Sequence, residues 1–386
     1  MDRRKFFRVL GAGSVGIAAQ SVTGNSLKAM ESLLPQEAPA TNIQDALKYP
    51  RTPQSMPGRY PGHVVKITNP KSVTSDLQPV DKVAYDMVAE AMQLLTGEKK
   101  LKKAWRQFVG PKDRIGLKVN PIGGKMLSTS HAVTKAVIRQ LEEAGIPAQN
   151  ILIWDRRQED LETSGFTAEN YPHTRIKGTE AMENGSFYGQ DGKLLGLNNI
   201  DKDWYFWADV EEKYDAYTLP YMINEGKESY FTKIATQEVD KIINIPIMKN
   251  AGAAVTCCLK NLAFGSITNT SRLHGQLWHP TCSQVIAFPP LRDKVVLNIA
   301  DGLIGCYDGG PGANPQFICR YDTLLVGSDA VAVDRIAHDI IIGKRIAEGR
   351  QKADSDKGYT NLIMAQSYGL GTADRDRITL TERIYE

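Results

Sequence analysis

The chain has 386 residues, of which 42% are hydrophobic, and its 47 basic and 44 acidic residues leave a net charge of +3. This length and composition predict a globular protein with a large core, built as one α/β domain or as two closely packed lobes. The near balance of charge excludes a broad basic surface for nucleic acid, and no run of like charge resembles a binding tail.

The first 25 residues resemble a twin-arginine export signal. Arg3 and Arg4 precede a weakly hydrophobic run over residues 9–19 that is rich in glycine and alanine. This run is shorter than the roughly 20 residues that span a bilayer, so we predict no transmembrane helix beyond an uncleaved leader, which would act as a tether. We therefore expect a periplasmic or otherwise extracytoplasmic protein that is exported folded by the twin-arginine route.

Residues 26–62 are polar and contain six prolines, which predicts a linker or an extended wrap. Residues 63–386 then alternate between short apolar runs and helical periodicity, as an α/β domain does. The predicted strands of the first half lie at residues 64–68, 114–119 and 151–154, and the predicted helices at residues 80–95 and 131–143.

The second half repeats the pattern from residue 241 onward. A strand over residues 242–246 leads to a loop with Lys249 and Asn250, and Thr256 opens a helix. Further predicted elements are a strand at 294–300, a loop at 301–312, a strand at 323–326, helices at 330–342 and 360–368, and a strand at 377–380. These βαβ units predict a mostly parallel sheet with helices on both faces.

An insertion over residues 185–232 interrupts this alternation and holds over a third of the aromatic residues of the chain. No helical or strand period organises its rings. Two interpretations stay open: an aromatic mini-core that packs on itself, or a lid over a planar ligand or a partner surface.

Three predicted loops follow the carboxyl ends of parallel strands, where open α/β sheets bind ligands. The first contains Lys118, Asn120 and Ser130 ahead of a helix. A helix amino terminus presents unpaired N–H groups and a partial positive charge, so this loop suits a carboxylate or a phosphate. The spacing of a P-loop is absent, and helix capping alone explains Ser130.

The second loop leads from Lys249 into a helix with Thr256, Lys260 and Asn261, and His274 follows. Thr256 and Lys260 are four residues apart and would share a helix face. A desolvated lysine there could hold an acidic ligand, act as a base or form a Schiff base. The alternative is that Lys260 pairs with a carboxylate of the core.

The third loop is rich in glycine, which permits positive φ and the close approach of a ligand, so Gly310 is a predicted ligand-binding residue. Asp301 ends the preceding strand, a common position for a carboxylate that meets a substrate or a metal. Asp334 and His338 have the four-residue spacing that metal sites use, although a salt bridge explains the same spacing.

The five cysteines are an odd number for a chain that we expect in an oxidising compartment. No Cys-x-x-Cys spacing occurs, and structural zinc and ferredoxin-type clusters draw on such spacing. We therefore expect no iron–sulfur cluster, and we predict buried free thiols with at most one disulfide. The sequence leaves the identity of any cofactor unknown.

Several separated segments resemble the domain of unknown function 362 family, over about residues 60–380. They are residues 118–120 through His131 to Asp155, residues 245–249 and 259–262 with His274, residues 300–302 through 310–311, and residues 327–334. Some members of that family carry additional ferredoxin-type cysteine motifs, which this chain lacks. The family has no settled activity, so the resemblance implies the α/β fold and leaves open whether the protein is an enzyme.

The leading hypothesis is an exported α/β protein that binds a small anionic ligand or cofactor between the three loops, with redox or metal-assisted chemistry left open. The predicted ligand-binding residues are Lys118, Asn120, Ser130, Lys249, Asn261 and Gly310, the predicted catalytic residues are Lys260, His274 and Asp301, and the candidate metal ligands are Asp334 and His338. The alternative is a non-catalytic subunit of a periplasmic or membrane-associated complex that docks through residues 185–232.

Overall fold

The computed structural model describes residues 39–210, 226–251, 254–350 and 359–386, so the predicted export signal lies outside the described residues. The strands of the described residues are β1 (His63–Thr68), β2 (Ile115–Lys118), β3 (Ile151–Arg157), β4 (Arg175–Glu180), β5 (Ile200–Trp207), β6 (Glu228–Thr232), β7 (Lys241–Asn244), β8 (Ile247–Ala251), β9 (Ala254–Thr256), β10 (Val295–Gly310), β11 (Ile318–Gly327) and β12 (Thr379–Ile384).

The α-helices of the described residues are α1 (Ile43–Leu47), α2 (Asp81–Thr96), α3 (Leu101–Arg106), α4 (His131–Glu143), α5 (Gln158–Thr163), α6 (Cys258–Ser266), α7 (Trp278–Gln284), α8 (Pro289–Arg292), α9 (Ala330–Ala347) and α10 (Thr360–Ser367). Among them, none combines the length and the apolar character that a membrane crossing requires.

The main sheet has ten strands, of which eight follow the order β12-β1-β11-β10-β7-β2-β3-β4, while β8 and β9 attach beside β10. Strand β11 runs antiparallel to both of its neighbours, β1 and β10. The remaining pairs along the path, from β10 through β7, β2 and β3 to β4 and from β1 to β12, are parallel. The sheet is thus mixed and mostly parallel, which confirms the predicted α/β fold class.

Successive side chains along each strand point to opposite faces of this sheet. On one face, Ile115, Leu117, Ile151, Ile153 and Ile243 enter a single apolar cluster with residues of α2, α3 and α4. The other face is covered by α6, which lies against β3 and β7, and by α9, which lies against β10 and β11. Helices therefore cover both faces, and the polar residues that matter below lie on the face of α6 and α9.

The register of the strands aligns polar residues on this second face. Lys118 lies beside Trp154 on one neighbouring strand and beside Asn244 on the other. Asn244 lies in turn beside Asn298 of β10. The carboxyl ends of β2, β7 and the first half of β10 thus carry a row of polar side chains under α6.

Two of the predicted loops are wrong, because strands occupy most of their length. Strand β10 continues from Val295 to Gly310, bonded to β11 on one side and to β8 on the other. Gly302 and Gly305 of this strand allow the neighbouring strands to approach closely, and they do not form a loop. A Cβ at Gly302 would lie 2.6 Å from Met248 Sδ, and a Cβ at Gly305 would overlap the Met248 carbonyl.

The second correction concerns the segment after β7. Lys249 lies on strand β8, which pairs antiparallel with β9, and Lys249 is the direct partner of Thr256. Helix α6 therefore begins at Cys258, and Thr256 does not share a helix face with Lys260 as predicted. Instead, Thr256 and Lys249 project to the same face of the two strands, as cross-strand partners do.

The described part of the proline-rich segment, residues 39–62, lies along the domain. Arg51 donates hydrogen bonds from Nη1 to the Met56 carbonyl and from Nη2 to the Tyr368 carbonyl, both over 2.7 Å. The Met56 side chain is fully buried. These contacts attach the segment both to itself and to the residue that follows α10.

Candidate functional site

Lys118 ends strand β2 and is fully buried, yet each proton of its ammonium group has an acceptor. Its Nζ donates to the Val119 carbonyl over 2.8 Å, to Asn261 Oδ1 over 2.9 Å and to the carboxylate of Asp155 in a close contact. Burial lowers the pKa of Lys118, and the charge of Asp155 opposes that shift. An ammonium group has three donors, so this pair is both neutralised and saturated.

Four asparagines extend this network across the sheet. Asn261 of α6 accepts from Asn120 over 3.1 Å and donates to Asn244 over 2.8 Å. Asn244 donates to Asn298 over 3.0 Å, and Asn298 donates to the Ser328 carbonyl over 3.2 Å. The network connects the ends of β2 and β7 and the first half of β10 to α6, which fixes the relative positions of these elements.

Gly265 explains how α6 lies so close to this network. A Cβ at this position would overlap Nζ and Cε of Lys118 and would lie 3.1 Å from Asp155 Oδ1. Lys118 and Asp155 are almost entirely buried, so neither can move aside without breaking their ion pair. A side chain at residue 265 is therefore incompatible with the pair as it stands.

Lys249 is the second fully buried lysine of the site, and its surroundings differ from those of Lys118. Its Nζ donates to Asn120 Oδ1 over 2.9 Å and to the Ile122 carbonyl over 2.6 Å, and both acceptors are neutral. No carboxylate of the described residues lies within 4.0 Å of it. Burial and, secondarily, the charge of Lys260 lower the pKa of Lys249 to about 7.

Lys260 lies on α6 between two aromatic rings, 5.5 Å from the ring centre of Phe264 and 5.3 Å from that of Trp278. Within the described part of the chain, its Nζ has neither a hydrogen-bond acceptor nor a carboxylate partner. Burial lowers the pKa of Lys260, and the charge of Arg156 lowers it further. The predicted pairing of Lys260 with a core carboxylate therefore does not occur among the described residues.

His274 packs its ring against Phe264, with 4.5 Å between the ring centres. Its Nδ1 lies 3.0 Å from the Thr270 carbonyl, which can only accept, so Nδ1 carries the proton and Nε2 is left as an acceptor. Burial lowers the pKa of His274 to about 4, assisted by the charge of Lys260. The imidazole is therefore neutral at pH 7, as a proton acceptor must be.

Ser130 and Asp301 meet at the amino terminus of α4, the place predicted for an anionic ligand. The Ser130 N–H donates to Asp301 Oδ2 over 2.7 Å, and the Ser130 hydroxyl accepts from the N–H of Ala132 over 3.1 Å. Asp301 also accepts from the Leu303 N–H over 3.0 Å. Burial raises the pKa of Asp301 to about 6. A carboxylate of the protein itself thus occupies this helix terminus.

Asp334 of α9 accepts from the N–H groups of Cys258 and Leu259, over 2.6 and 2.9 Å, and so holds the first turn of α6. Burial raises its pKa to about 6. The Asp334 carboxylate lies within 4.8 Å of the thiols of Cys257 and Cys258, a group compact enough for one ion. His338, the other candidate ligand, lies one turn along and places its ring against Tyr359, with 5.2 Å between ring centres.

Gly310 lies at the far end of β10, where its register partner is Ala251 of β8. It is therefore separated along the strand from Asp301, which pairs with the start of β8. All five cysteines are free thiols, and all except the half-buried Cys319 are buried.

Sequence reasoning missed Asp155 as the partner of Lys118, and Asn244 and Asn298 as members of the network. The available signal was that each of these residues ends or interrupts a predicted apolar strand, at the same edge of the sheet. Thr256 was predicted on the wrong element. Its hydroxyl is buried and has no hydrogen-bond partner within the described ranges.

In the aromatic insertion, β5 and β6 form a separate two-stranded antiparallel sheet. Phe206 and Phe231 are fully buried and contact Phe288, at ring-centre distances of 6.4 and 5.4 Å. Tyr188 is 51% exposed. Residues 211–225, which hold further aromatic residues of the insertion, lie outside the described residues.

Comparison with known proteins places the chain in a family. The model of a domain of unknown function, DUF362, matches residues 115–339, while no curated protein matches the sequence. Among solved structures, a Thermotoga maritima protein from the Northeast Structural Genomics Consortium is 11% identical, with a TM-score of 0.37. That match covers 69% of this chain and 59% of the other, so this chain spans less than two thirds of that protein. Because the family model matches more than half of the chain, the protein belongs to the DUF362 family.

Proposed function

We propose that the protein binds a small anionic ligand between strand β8, helix α6 and His274, with Lys249 and Lys260 as the residues that hold the anion. The observation that carries this proposal is the fully buried Lys249 together with the half-buried Lys260, each lacking a carboxylate partner within the described ranges. The free energy of an uncompensated buried charge is several kcal/mol, so proteins usually pair such a charge or neutralise it. A bound anion would stabilise both ammonium groups.

The surroundings of the two lysines support an anionic ligand over a cation. The charge of Lys260 acts on Lys249, and the charge of Arg156 acts on both Lys260 and His274. Arg156 itself has Glu180 at 3.7 Å and Thr270 in a close contact. Asp155 and Asp160 also act on Lys249, but each has a smaller effect than Lys260, and a carboxylate or a phosphate beside the two lysines would offset their repulsion.

Unused donors support the same site. Lys249 has two protein acceptors for an ammonium group that carries three protons, so one N–H is left for a ligand. The Thr256 hydroxyl, its cross-strand partner, is buried and has no hydrogen-bond partner within the described residues. The site therefore centres on Lys249 and Lys260, whereas the donors of Lys118 and of the Ser130 N–H are used within the protein.

The test is the melting temperature of the full chain in increasing inorganic phosphate, with chloride at matched ionic strength as the reference. A ligand that binds only the folded state raises the melting temperature, by a few degrees when it is far above its dissociation constant. We expect that rise for the unsubstituted protein and its loss in Lys260→Met. The control is Lys82→Met, because Lys82 is 80% exposed and pairs with Asp86, one turn along the same helix.

An equal phosphate response in Lys260→Met and in the control would overturn the assignment of the site. A response absent from all three proteins in phosphate, and also in the carboxylates acetate and oxalate, would overturn the anionic ligand itself.

We also propose that the chain acts outside the cytoplasm, on the basis of Arg3 and Arg4 in its first residues. Fractionation of cells that produce the full chain or the variant Arg3→Lys/Arg4→Lys tests this. Export of the former and cytoplasmic retention of the latter are expected. Equal cytoplasmic retention of both would contradict the proposal.

A further inference from the structure

We propose that Lys249 is an amine nucleophile that forms a Schiff base with the carbonyl group of a small oxo acid, whose carboxylate is held by Lys260. This inference rests on the proposed anion site and names the chemical class of its ligand. It assigns different tasks to the two lysines: Lys260 binds charge, and Lys249 reacts.

The number of hydrogen-bond acceptors at Lys249 matches a neutral amine. A neutral amine has two N–H donors and one lone pair, whereas an ammonium group has three donors and no lone pair. The two acceptors at Lys249, Asn120 Oδ1 and the Ile122 carbonyl, match the neutral form. In the neutral form both N–H groups are satisfied and the nitrogen keeps its lone pair, whereas the charged form has one N–H left for the anion.

Lys118 is equally buried but has a different set of hydrogen-bond acceptors. Lys118 has three acceptors, one of them the carboxylate of Asp155, and this set matches the charged form. Burial alone therefore does not make an amine nucleophilic in this protein. The number and charge of the acceptors distinguish the two lysines: those of Lys118 favour an ammonium group, and those of Lys249 favour a neutral amine.

The charged groups around Lys249 also favour its neutral form. The charged or titratable groups that act on Lys249 are Lys260, Cys306, Asp155 and Asp160, and the largest effect among them is the repulsion from Lys260. Together with burial, this repulsion lowers the pKa of Lys249 to about 7. A lysine that is desolvated and lies near a second cation is an established way to obtain a reactive amine at neutral pH.

The reaction balances without an oxidant or a reductant. The Nζ lone pair attacks the carbonyl carbon, a C–N bond forms as the C=O π bond breaks, and one proton moves from the nitrogen to the oxygen to give a carbinolamine. The nitrogen then loses its remaining proton as the hydroxyl group leaves as water, which yields the imine. Amine and oxo acid therefore give imine and water, and hydrolysis reverses the step.

The test traps this imine in the full chain. The protein is incubated at pH 7 with glyoxylate, an aldehyde that carries a carboxylate, and with cyanoborohydride, whose hydride reduces the imine to a stable secondary amine. Peptide mapping by mass spectrometry then measures the modified fraction of each lysine. Glycolaldehyde, an uncharged aldehyde of similar size, serves as the matched probe.

We expect Lys249 to be modified by glyoxylate at least ~10-fold faster than Lys82, because an ordinary lysine is almost entirely protonated at pH 7. This preference should shrink with glycolaldehyde and in Lys260→Met, since both remove the carboxylate–ammonium contact. Raising the pH to 9 should speed the modification of Lys82 more than that of Lys249.

Two outcomes separate the inference from the function on which it rests. If Lys249 stays unmodified while phosphate still raises the melting temperature through Lys260, the Schiff base is overturned and anion binding stands. If Lys249 stays unmodified and phosphate has no effect, both proposals are overturned. None of these measurements needs a Lys249 variant, so they do not depend on the folding of one.

Discussion

The two buried lysines at the edge of the sheet differ in the partners that the fold provides for them. Lys118 has a carboxylate, a carbonyl and an amide oxygen, and the close approach of α6 at Gly265 encloses this set. Lys249 has two neutral oxygens, and the largest effect of any charged group on it is the repulsion from Lys260.

This difference separates a structural ion pair from a binding site. A saturated pair such as Lys118 with Asp155 has nothing left to offer a ligand, and removing one member leaves an isolated buried charge. An unsaturated lysine such as Lys249 contributes little to the fold, and a ligand would complete its surroundings. The comparison therefore predicts a large loss of stability on substitution of Lys118 and a small change on substitution of Lys249.

The largest effect is expected for Asp155→Ala, which leaves the ammonium group of Lys118 buried without its counter-charge. Breaking one partner of a buried ion pair costs about 3–5 kcal/mol. Denaturant unfolding of the variant should show a loss of that size in the free energy of unfolding. A loss below about 1 kcal/mol would mean that the pair does not hold the sheet edge together.

The next effect is expected for Gly265→Ala, since its added Cβ would overlap Lys118 and approach Asp155. Overpacking of a rigid site costs about 1–3 kcal/mol. Gly343→Ala in α9 is the matched control, because a Cβ there meets no atom within 4 Å. Equal melting temperatures for the two variants would contradict the close packing of α6 on the pair.

A smaller effect is expected for Lys249→Met at pH 7. The substitution relieves the desolvation of an amine but leaves two buried oxygens without a donor, so the free energy of unfolding should change by no more than about 1 kcal/mol. Lys118→Met should instead destabilise strongly, because it isolates the Asp155 carboxylate. Comparable losses in the two variants would remove the distinction between the two lysines.

The dependence of the protein's stability on pH also tests the protonation state of Lys249. The folded pKa of Lys249 is about 7, below the 10.5 of an ordinary lysine, so the unfolded chain binds more protons between these values. The stability of the protein should therefore rise with pH from about 7 to 10, through the contribution of this group. In Lys249→Met the rise should be shallower, which denaturant unfolding at pH 7, 8 and 9 measures.

The smallest effect is expected for Asp240→Asn, which breaks the ion pair with Arg114. The two side chains are 41% and 49% exposed, and exposed ion pairs contribute roughly 0–1 kcal/mol. If the free energy of unfolding fell as much as in Asp155→Ala, burial would not determine how much an ion pair contributes to stability.

Much of the fold follows from local sequence. Helix α4 spans the predicted residues 131–143 with Ser130 as its cap, and α9 begins at the predicted residue 330, where Asp329 caps it. The failures occur where glycines suggested loops. Gly302 and Gly305 lie inside β10, because they allow Met248 and Thr323 to approach, and this contact joins residues far apart in the chain.

The candidate site, like the fold, could be predicted from local sequence only in part. Lys118 ends a strand and Lys260 lies on a helix, as the sequence predicts, whereas Lys249 lies on strand β8 instead of in a loop. The partners of these lysines depend on the register between strands, which brings Lys118 beside Asn244 and Asn244 beside Asn298. Register is set by the packing of the whole sheet, so local sequence could not show which lysine is paired and which is not.

The central claim is tested most directly by measuring the protonation of Lys249 itself. Carbon-13 NMR of ε-labelled lysines reports the titration of each amine, and the spectrum of Lys249→Met assigns the signal. The account predicts that Lys249 titrates near pH 7 without phosphate and at a higher pH with it. Titration near the ordinary lysine value of about 10.4, with or without phosphate, would contradict it.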